Sequence, residues 1–228
     1  MNKTLAKHAE RRLSQDVTIM AGDVELAGLL AVPRDAHGLV AFAHGSGSSR
    51  LSSRNQHVAE TLNRAGLATL LFDLLTPLEH TRDMETSEYR FDIALLAERL
   101  VGAIDWLARN EATKELRYGL FGASTGAAAA LIAAAQRPHL IHAVVSRGGR
   151  PDLANDILEQ VHAPTLLIVG GQDTEVIELN RWAAARLTGP HETVIVAGAD
   201  HLFEAPGQLE EVARLAGSWF LTHLTSAA

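Results

Sequence analysis

The sequence predicts an α/β fold, in which a mostly parallel, doubly wound sheet carries helices on both faces. Short continuous apolar runs, typical of strands buried on both faces, alternate with segments of helical periodicity over most of the 228 residues. Such an alternation favours parallel strands, because parallel neighbours need crossover connections. Since no segment repeats at a fixed period and no Pro-, Gly- or Ser-rich linker divides the chain, we expect a single domain over residues 1–228, with 1–14 as an N-terminal extension.

The first predicted elements are a hairpin followed by a buried strand, a helix and a second buried strand. Two β-prone runs, 17–20 and 24–31, flank the turn Ala21-Gly22-Asp23 and predict the antiparallel hairpin. The helix follows from Val58, Leu62 and Ala65, which share one helical face ahead of the stop at Gly66. Its predicted range is 55–65, and the two continuous apolar runs around it are 39–43 and 68–72.

The stretch 73–90 interrupts the alternation, because it carries Pro77 and many charges without clean periodicity. We expect an irregular active-site loop there. Helical spacing resumes over 91–108, and alternation then continues to the C-terminal part. The later predicted strands are 118–121, 141–145, 165–169 and 193–196, and the later predicted helices are 124–136, 153–161, 176–187 and 209–224.

Composition and charge exclude several classes of protein and site. The net charge of −7 argues against a nucleic-acid partner and against an anionic membrane surface, since both need clustered Lys and Arg. The chain has no cysteine, which excludes disulfides, thiolate metal sites and a cysteine nucleophile. The longest apolar run, 127–135, is far shorter than the roughly 20 residues of a membrane-spanning helix, and residues 1–15 contain no apolar secretory segment. We therefore expect a cytoplasmic protein without a membrane partner.

The segment Gly122-Ala123-Ser124-Thr125-Gly126 carries the first chemical signal. It fits Gly-x-Ser-x-Gly and lies between a predicted strand and a predicted helix, where this motif holds a serine on a strained turn above the sheet edge. The two glycines remove side chains that would collide in such a turn. Ser124 is therefore the candidate nucleophile, and a simple glycine turn is the alternative.

A serine hydroxyl needs a base to take its proton, and one of the eleven histidines stands out for this role. His201 follows the last predicted strand through a short turn, which places it at the same carboxyl edge of the sheet as Ser124. His44 also follows a strand, but its position beside Gly45 fits a loop-shaping role better. The sequence therefore predicts His201 as the base.

A carboxylate is needed to hold the base in one tautomer and to stabilise its charged form. Asp173 follows the predicted strand at 165–169 through Gly170-Gly171-Gln172. The chain order Ser124, Asp173, His201 also separates this strand-turn-helix class from other serine triads. Alternatives remain: Asp173 could cap a helix, Glu175 is a nearby rival acid, and Asp200 adjoins the histidine, although adjacent side chains usually diverge.

Two backbone N–H groups are expected to stabilise the oxyanion that forms on a carbonyl under attack. One belongs to Thr125, directly after the nucleophile. The second lies in the loop His44-Gly45-Ser46-Gly47-Ser48, where Ser46 is the preferred donor, with Gly45 and Gly47 close behind. A plain solvent-exposed loop would have much the same composition.

At these motifs, together with Gly171-Gln172-Asp173 and Gly198-Ala199-Asp200-His201-Leu202-Phe203, the chain resembles the dienelactone-hydrolase-like branch of the α/β hydrolases over nearly its whole length. The resemblance implies a compact domain without a cap, a triad of Ser124, Asp173 and His201, and hydrolysis of an ester-like bond with no cofactor and no metal. Dienelactone hydrolases proper use a cysteine nucleophile. Ser124 stands in its place, so the resemblance does not extend to dienelactone as the substrate.

The favoured function is hydrolysis of small or short-acyl carboxylic esters through an acyl-enzyme. One alternative resolves the same intermediate with a thiol, an alcohol or a peroxide, as a thioesterase, acyltransferase or perhydrolase would. Another is a catalytically silent binding protein of the same fold. For substrate contacts, Arg82 or Arg147 could bind an acidic group, and Leu202 and Phe203 could line the acyl pocket or simply pack in the core. We expect a small-molecule ester as partner, and the exposed edge strand or the last helix as the surface for any homodimer.

Overall fold

The computed structural model describes residues 14–225, whose strands form one eight-stranded sheet. In spatial order the sheet runs β1-β2-β4-β3-β5-β6-β7-β8. The antiparallel pairs are β1 with β2 and β2 with β4, and all other neighbours are parallel. The strands are β1 (Ser14–Ala21), β2 (Val24–Ala31), β3 (Leu39–Ala43), β4 (Ala68–Phe72), β5 (Tyr118–Ala123), β6 (Ile141–Arg147), β7 (Thr165–Gly170) and β8 (His191–Val196).

Helices cover both faces of this sheet, because its central strands are apolar on both sides. The helices are α1 (Ser53–Arg64), α2 (Pro77–Thr86), α3 (Ile93–Leu107), α4 (Thr125–Gln136), α5 (Thr174–Ala184) and α6 (Gln208–Leu224), with a 3₁₀ segment at Pro151–Gln160. One buried cluster joins the sheet to α1 and α6, and the other joins it to α3, α4, α5 and the 3₁₀ segment. The predicted α/β architecture with helices on both faces is confirmed. None of the helices in residues 14–225 has the length and apolarity needed to cross a bilayer.

The loop predicted over 73–90 is wrong in part, because ten of its residues form α2. Thr76 begins this helix with a capping box, in which its hydroxyl accepts the N–H of Glu79 and the Glu79 carboxylate accepts the N–H of Thr76. Pro77 occupies the first turn, where a missing N–H costs nothing. Helix α2 is attached to the rest of the protein by ion pairs and has no buried apolar stripe. Asp83 pairs with Arg90, and Glu79 pairs with Arg99.

Two further predicted elements differ in form from those observed. Residues 153–161 were expected as a regular helix, but the segment Pro151–Gln160 is 3₁₀ and is broken at Asn155, whose φ is 42°. The helix predicted over 176–187 begins at Thr174 and ends at Ala184. Ser14, the last residue of the expected N-terminal extension, is the first residue of β1, and the rest of that extension lies outside the described residues.

Candidate active site

Ser124 sits on a sharp turn between β5 and α4. Its φ of 51° and ψ of −122° are a conformation that residues with a side chain rarely adopt. The turn is possible because of the glycines around it. A Cβ at Gly126 would lie 2.6 Å from the carbonyl oxygen of His44 and closer still to that of Ala43, and a Cβ at Gly122 would lie 2.6 Å from the carbonyl oxygen of Gly126. Backbone atoms cannot yield as a flexible side chain can, so the motif keeps both glycines.

Hydrogen bonds from both sides fix the backbone of this turn. The Ser124 N–H donates to the carbonyl of Arg147 at 3.2 Å, and the Ser124 carbonyl accepts the N–H groups of Ala127 and Arg150, each at 3.1 Å. Thr125 is the first residue of α4, so its N–H is one of the helix-terminal donors that have no partner within the helix. These donors and the positive end of the helix dipole lie beside Ser124, where a developing negative charge would be stabilised.

His201 and Asp173 are brought together by the loops that follow β8 and β7. Nδ1 of His201 lies 2.6 Å from Oδ2 of Asp173. Asp173 occupies the cap position of α5, but its side chain makes no capping hydrogen bond and turns to the histidine instead. With Nδ1 engaged, Nε2 is the ring nitrogen that remains for proton transfer.

The two rival acids have other positions. Asp200 accepts the N–H of Leu202 at 3.0 Å and that of Phe203 at 2.7 Å, so its carboxylate stabilises the turn that carries His201. Glu175 lies in the first turn of α5 and is exposed to solvent. Of the three carboxylates considered from the sequence, Asp173 is therefore the one that contacts the imidazole.

The loop after β3 approaches Ser124 closely and is held by His44. A Cβ at Gly45 would lie 3.0 Å from the Cβ of Ser124. His44 is buried, donates from Nδ1 to the carbonyl of Gly45 at 2.9 Å and accepts the N–H of Leu74 on Nε2 at 3.1 Å. Burial lowers the pKa of His44, with the hydrogen bond to Gly45 opposing it in part, so the ring stays neutral and shapes the loop. Ser46, the predicted second oxyanion donor, lies in this loop and lines the same pocket as Ser124.

An open pocket of about 220 Å³ connects these groups. That volume is below the roughly 300–1,000 Å³ of pockets that hold drug-sized ligands. Ser124 and His201 both line it, together with the loop after β3, the first residues of α1, Arg147 and Leu202. Phe203, the neighbour of Leu202, is buried in the cluster between the sheet and α6 and lies behind the pocket wall.

Of the two arginines considered from the sequence, only Arg147 is at the pocket. Arg82 is exposed and pairs with Glu88 at 2.8 Å. Arg147 is 7% exposed, and burial, with a smaller contribution from the charge of Arg54, lowers its pKa to about 10. It therefore remains charged at neutral pH.

Arg54 and Asn55, which also line the pocket, were missed by the sequence reasoning. They begin α1, directly after the loop whose glycines suggested an oxyanion donor, and that adjacency was the available signal. Across residues 14–225, no group of three or more His, Asp or Glu side chains is arranged to hold a metal ion.

The chain is similar in sequence and in fold to known proteins. Residues 38–189 match the sequence model of the α/β-hydrolase fold family. A crystal structure of dienelactone hydrolase from Anabaena variabilis is 56% identical, with a TM-score of 0.91, and the match covers 93% of this chain and all of that one. Est1E from Butyrivibrio proteoclasticus, at 17% identity and a TM-score of 0.76 over 91% of this chain and 98% of that one, shares the fold.

Curated relatives are found in Mycobacterium tuberculosis. Two proteins from different strains, which carry the provisional name phosphoribosyl transferase, are 56% identical over 210 residues, or 92% of this chain. The match covers 46% of each of them. The chain thus spans about half the length of these relatives, and their name describes proteins with a second half that the match does not include.

Proposed function

This chain belongs to the α/β-hydrolase family, in its dienelactone-hydrolase-like branch, and on that premise we propose that it is a serine hydrolase that cleaves small carboxylic esters. The observation that carries the proposal is the 2.6 Å hydrogen bond between His201 and Asp173 beside a pocket that His201 shares with Ser124. A neutral imidazole fixed by a carboxylate is suited to take a proton from serine at neutral pH.

The reaction begins when Nε2 of His201 takes the proton of the Ser124 hydroxyl and Oγ attacks the ester carbonyl carbon. The carbonyl oxygen becomes an oxyanion, which the N–H groups of Thr125 and Ser46 stabilise. The C–O bond to the alcohol then breaks, the alcohol leaves with the proton from His201, and the acyl group stays on Ser124. Water, deprotonated by His201, attacks this acyl-enzyme and releases the carboxylic acid.

The name of the mycobacterial relatives does not change this proposal. Those proteins are about twice as long as this chain, so an activity assigned to the whole is not thereby assigned to the half that matches. The shared half carries the hydrolase-family match and the pocket with Ser124 and His201. Phosphoribosyl transfer therefore has no support from the residues described.

The test is hydrolysis of 4-nitrophenyl acetate by the wild type and by Ser124→Ala, each purified identically. We expect kcat/KM to fall by about four orders of magnitude or more in Ser124→Ala, because the variant lacks the hydroxyl on which the proposed acyl-enzyme forms. Ser218→Ala, which removes an exposed hydroxyl from α6, is the control and should match the wild type. Equal rates in wild type and Ser124→Ala would refute the role of Ser124, and a wild type that neither hydrolyses esters nor reacts with a fluorophosphonate would favour the silent binding protein.

A second experiment examines how the acyl-enzyme is resolved. When a thiol, an alcohol or hydrogen peroxide competes with water, a hydrolase yields mainly the free acid. We expect the acid to dominate at millimolar concentrations of the competing nucleophile. Mainly thioester, new ester or peracid would identify a transferase or perhydrolase that uses the same residues.

A further inference from the structure

Asn180 is a fully buried side chain on α5 that hydrogen-bonds the loop after β6. Its Nδ2 donates to the carbonyl of Gly149 at 3.0 Å and to the carbonyl of Val176, one turn earlier in α5, at 2.8 Å. Both neighbours are acceptors, so the amide must present its NH₂ group to them. In the part of the chain that the structure describes, no other side chain hydrogen-bonds the backbone of residues 148–150. Asn180 therefore anchors this loop to α5.

The stability of the fold does not by itself explain an asparagine at this position. Oδ1 of Asn180 is buried and has no hydrogen-bond partner among residues 14–225. A buried polar atom without a partner costs free energy, which an apolar side chain of similar size such as leucine would avoid. Leucine, however, could not make the hydrogen bond to Gly149. This contact with the loop is therefore the feature that points to a role for Asn180 in the site.

The peptide group that Asn180 anchors also holds the nucleophile turn. The N–H of Arg150 belongs to the same peptide group as the Gly149 carbonyl, and it donates to the carbonyl of Ser124 at 3.1 Å. The Ser124 carbonyl in turn shares a peptide group with the N–H of Thr125, the proposed oxyanion donor. Because a trans peptide group is planar, its C=O and N–H point in opposite directions, and a hydrogen bond on one orients the other. Two peptide groups in series thus connect the amide of Asn180 to the N–H of Thr125.

The same loop packs closely against the site on two sides. A Cβ at Gly149 would lie 2.5 Å from the Cβ of Ala127 in the first turn of α4, and a Cβ at Gly148 would lie 3.1 Å from the carbonyl oxygen of His201. The N–H of Gly148 donates to the carbonyl of Ile168 in β7 at 2.8 Å. Displacement of this loop therefore changes contacts beside the nucleophile and beside the base.

We propose that Asn180 is a positioning residue that orients the Thr125 N–H toward the oxyanion, through the peptide groups that follow Gly149 and Ser124. The inference rests on the proposed function and adds to it a residue that does not line the pocket. A tetrahedral oxyanion forms in acylation and again in deacylation, so an oriented N–H lowers both barriers. Hydrogen bonds in series also polarise one another, which strengthens the last donor of the series.

The kinetic test compares Asn180→Leu with the wild type on 4-nitrophenyl acetate. Removing an oxyanion donor outright costs about 100- to 1,000-fold in kcat, so a donor that is only misoriented should cost about 10-fold. We expect KM to change by less than about twofold, because both chemical steps lose the same stabilisation. The Ki of 1,1,1-trifluorohexan-2-one, whose adduct with Ser124 carries an oxyanion, should rise by about the same factor as kcat falls.

Thr113→Val is the matched control for the loss of a buried hydrogen bond. Thr113 is 1% exposed, and its hydroxyl donates to the carbonyl of Leu107 at 2.7 Å. It lies ahead of β5, at the end of this strand opposite to Ser124. This variant should lose stability but keep the kcat of the wild type and its Ki for the ketone.

Asn180→Asp keeps the size of the side chain and provides the test if Asn180→Leu does not fold. An ionised carboxylate has only acceptors, so it cannot donate to the carbonyl of Gly149. Burial raises the pKa of such a carboxyl group, and its protonated form can restore the hydrogen bond at lower pH. We expect kcat relative to the wild type to be lower at pH 9 than at pH 6.5, a dependence that loss of packing alone would not produce. Full activity from pH 6.5 to pH 9 would overturn the proposal.

A spectroscopic test works without catalysis, so its failure is distinct from failure of the proposed function. In ¹⁵N-labelled protein, Asn180→Leu should shift the backbone amide resonances of Arg150 and Thr125, whereas Thr113→Val should leave both in place. An unmoved Thr125 resonance would overturn the inference, even if Ser124 proves to be the nucleophile. So would an unchanged kcat in Asn180→Leu, or an equal loss of kcat in Thr113→Val. A wild type without esterase activity would instead refute the proposed function.

Discussion

At the scale of single residues, the proposed chemistry depends on which carboxylate touches His201. Asp173 contacts Nδ1 at 2.6 Å, whereas Asp200 accepts the backbone N–H groups of the turn that follows it. The first contact selects the imidazole tautomer, and the second shapes the loop. Exchanging each carboxylate for its amide therefore separates the two roles.

We expect Asp173→Asn to reduce kcat about 10⁴-fold with little change in folding, because the amide can favour the wrong tautomer and cannot stabilise the imidazolium. Asp200→Asn is the matched control. Its amide oxygen can still accept N–H groups, so most of the activity should remain, with a loss in stability of about 1 kcal/mol or less. Ester hydrolysis and urea unfolding of both variants provide the measurement, and a larger activity loss in Asp200→Asn would reverse the two assignments.

The sequence predicted the positions of some site residues but not the surroundings of others. Ser124, Asp173 and His201 follow strands at one sheet edge, so topology alone brings them near each other, and their catalytic roles stay predictions. Nε and Nη1 of Arg147 are buried without a hydrogen-bond partner among residues 14–225. This could not be predicted, because it depends on how α1 and the loop after His201 pack around a side chain from β6. No local pattern records whether a buried charge has found an acceptor.

At the scale of elements, the start of α4 packs so closely against the end of β3 that the turn from β5 to α4 has no room for a side chain at Gly126. The Cα of Gly126 faces backbone carbonyls of Ala43 and His44, with no side chain between them that could move. We expect Gly126→Ala to lose ester hydrolysis and several kcal/mol of stability, since backbone must shift at the site itself. Thermal melting and kcat/KM report the two losses.

Gly217→Ala is the matched control for this substitution, because Gly217 lies inside α6 and its added Cβ would meet only Leu62 Cδ2 at 3.6 Å, an ordinary contact. Alanine favours helix by up to about 1 kcal/mol over glycine, so this variant should be as stable as the wild type or more so. Full activity in Gly126→Ala would show that the loop after β3 is not held by the close approach.

Helix α2 shows how a local signal can be present without periodicity. Thr76, Pro77 and Glu79 form a recognisable helix start, but the helix is fixed by ion pairs of Glu79 with Arg99 and of Asp83 with Arg90, so no apolar stripe marks it. The capping residues were therefore the better guide than hydrophobic spacing. The 3₁₀ segment differs in this respect, because its break at Asn155 is a non-helical backbone conformation that the apolar spacing of the segment does not mark.

At the scale of the whole molecule, several histidines link folding to pH. Burial lowers the pKa of His44, of His142 and of His223, and the charge of Arg117 lowers the latter two further. Each is neutral in the fold and binds a proton more readily in the unfolded chain. Between the lowered value and the ordinary 6.5, the unfolded state holds more protons, so stability is full above pH 6.5 and is lost as the pH falls below it.

We therefore expect the urea concentration at half-unfolding to decrease when the pH is lowered from 7.5 to 5.5. Arg117→Met should reduce the fall, because His142 and His223 then lose a repulsive neighbour. Carboxylates such as Asp105, whose pKa is lowered by its hydrogen bonds with Arg137, act at lower pH and do not overlap this range. A midpoint that is constant from 7.5 to 5.5 would contradict the expectation.

The sheet as a whole was the most predictable feature. Continuous apolar runs such as Leu39–Ala43 and Ala68–Phe72 are typical of strands that are buried on both faces of a sheet. They therefore predict a sheet with helices on both sides without knowledge of any long-range contact. The antiparallel hairpin followed from Gly22 and its neighbours. Exact strand ends were less predictable, because β5, β6 and β7 extend to the site through hydrogen bonds with one another.

The composition of helix α4 lowers the side-chain entropy that is lost when this helix forms. Seven of its twelve residues are alanine, and these side chains have no rotamers to lose when the chain folds. The element that presents Thr125 beside Ser124 is therefore held in one conformation without the ordering cost that longer buried side chains would add. The donors at its N-terminus are already oriented before a substrate arrives, so binding energy need not be consumed in arranging them.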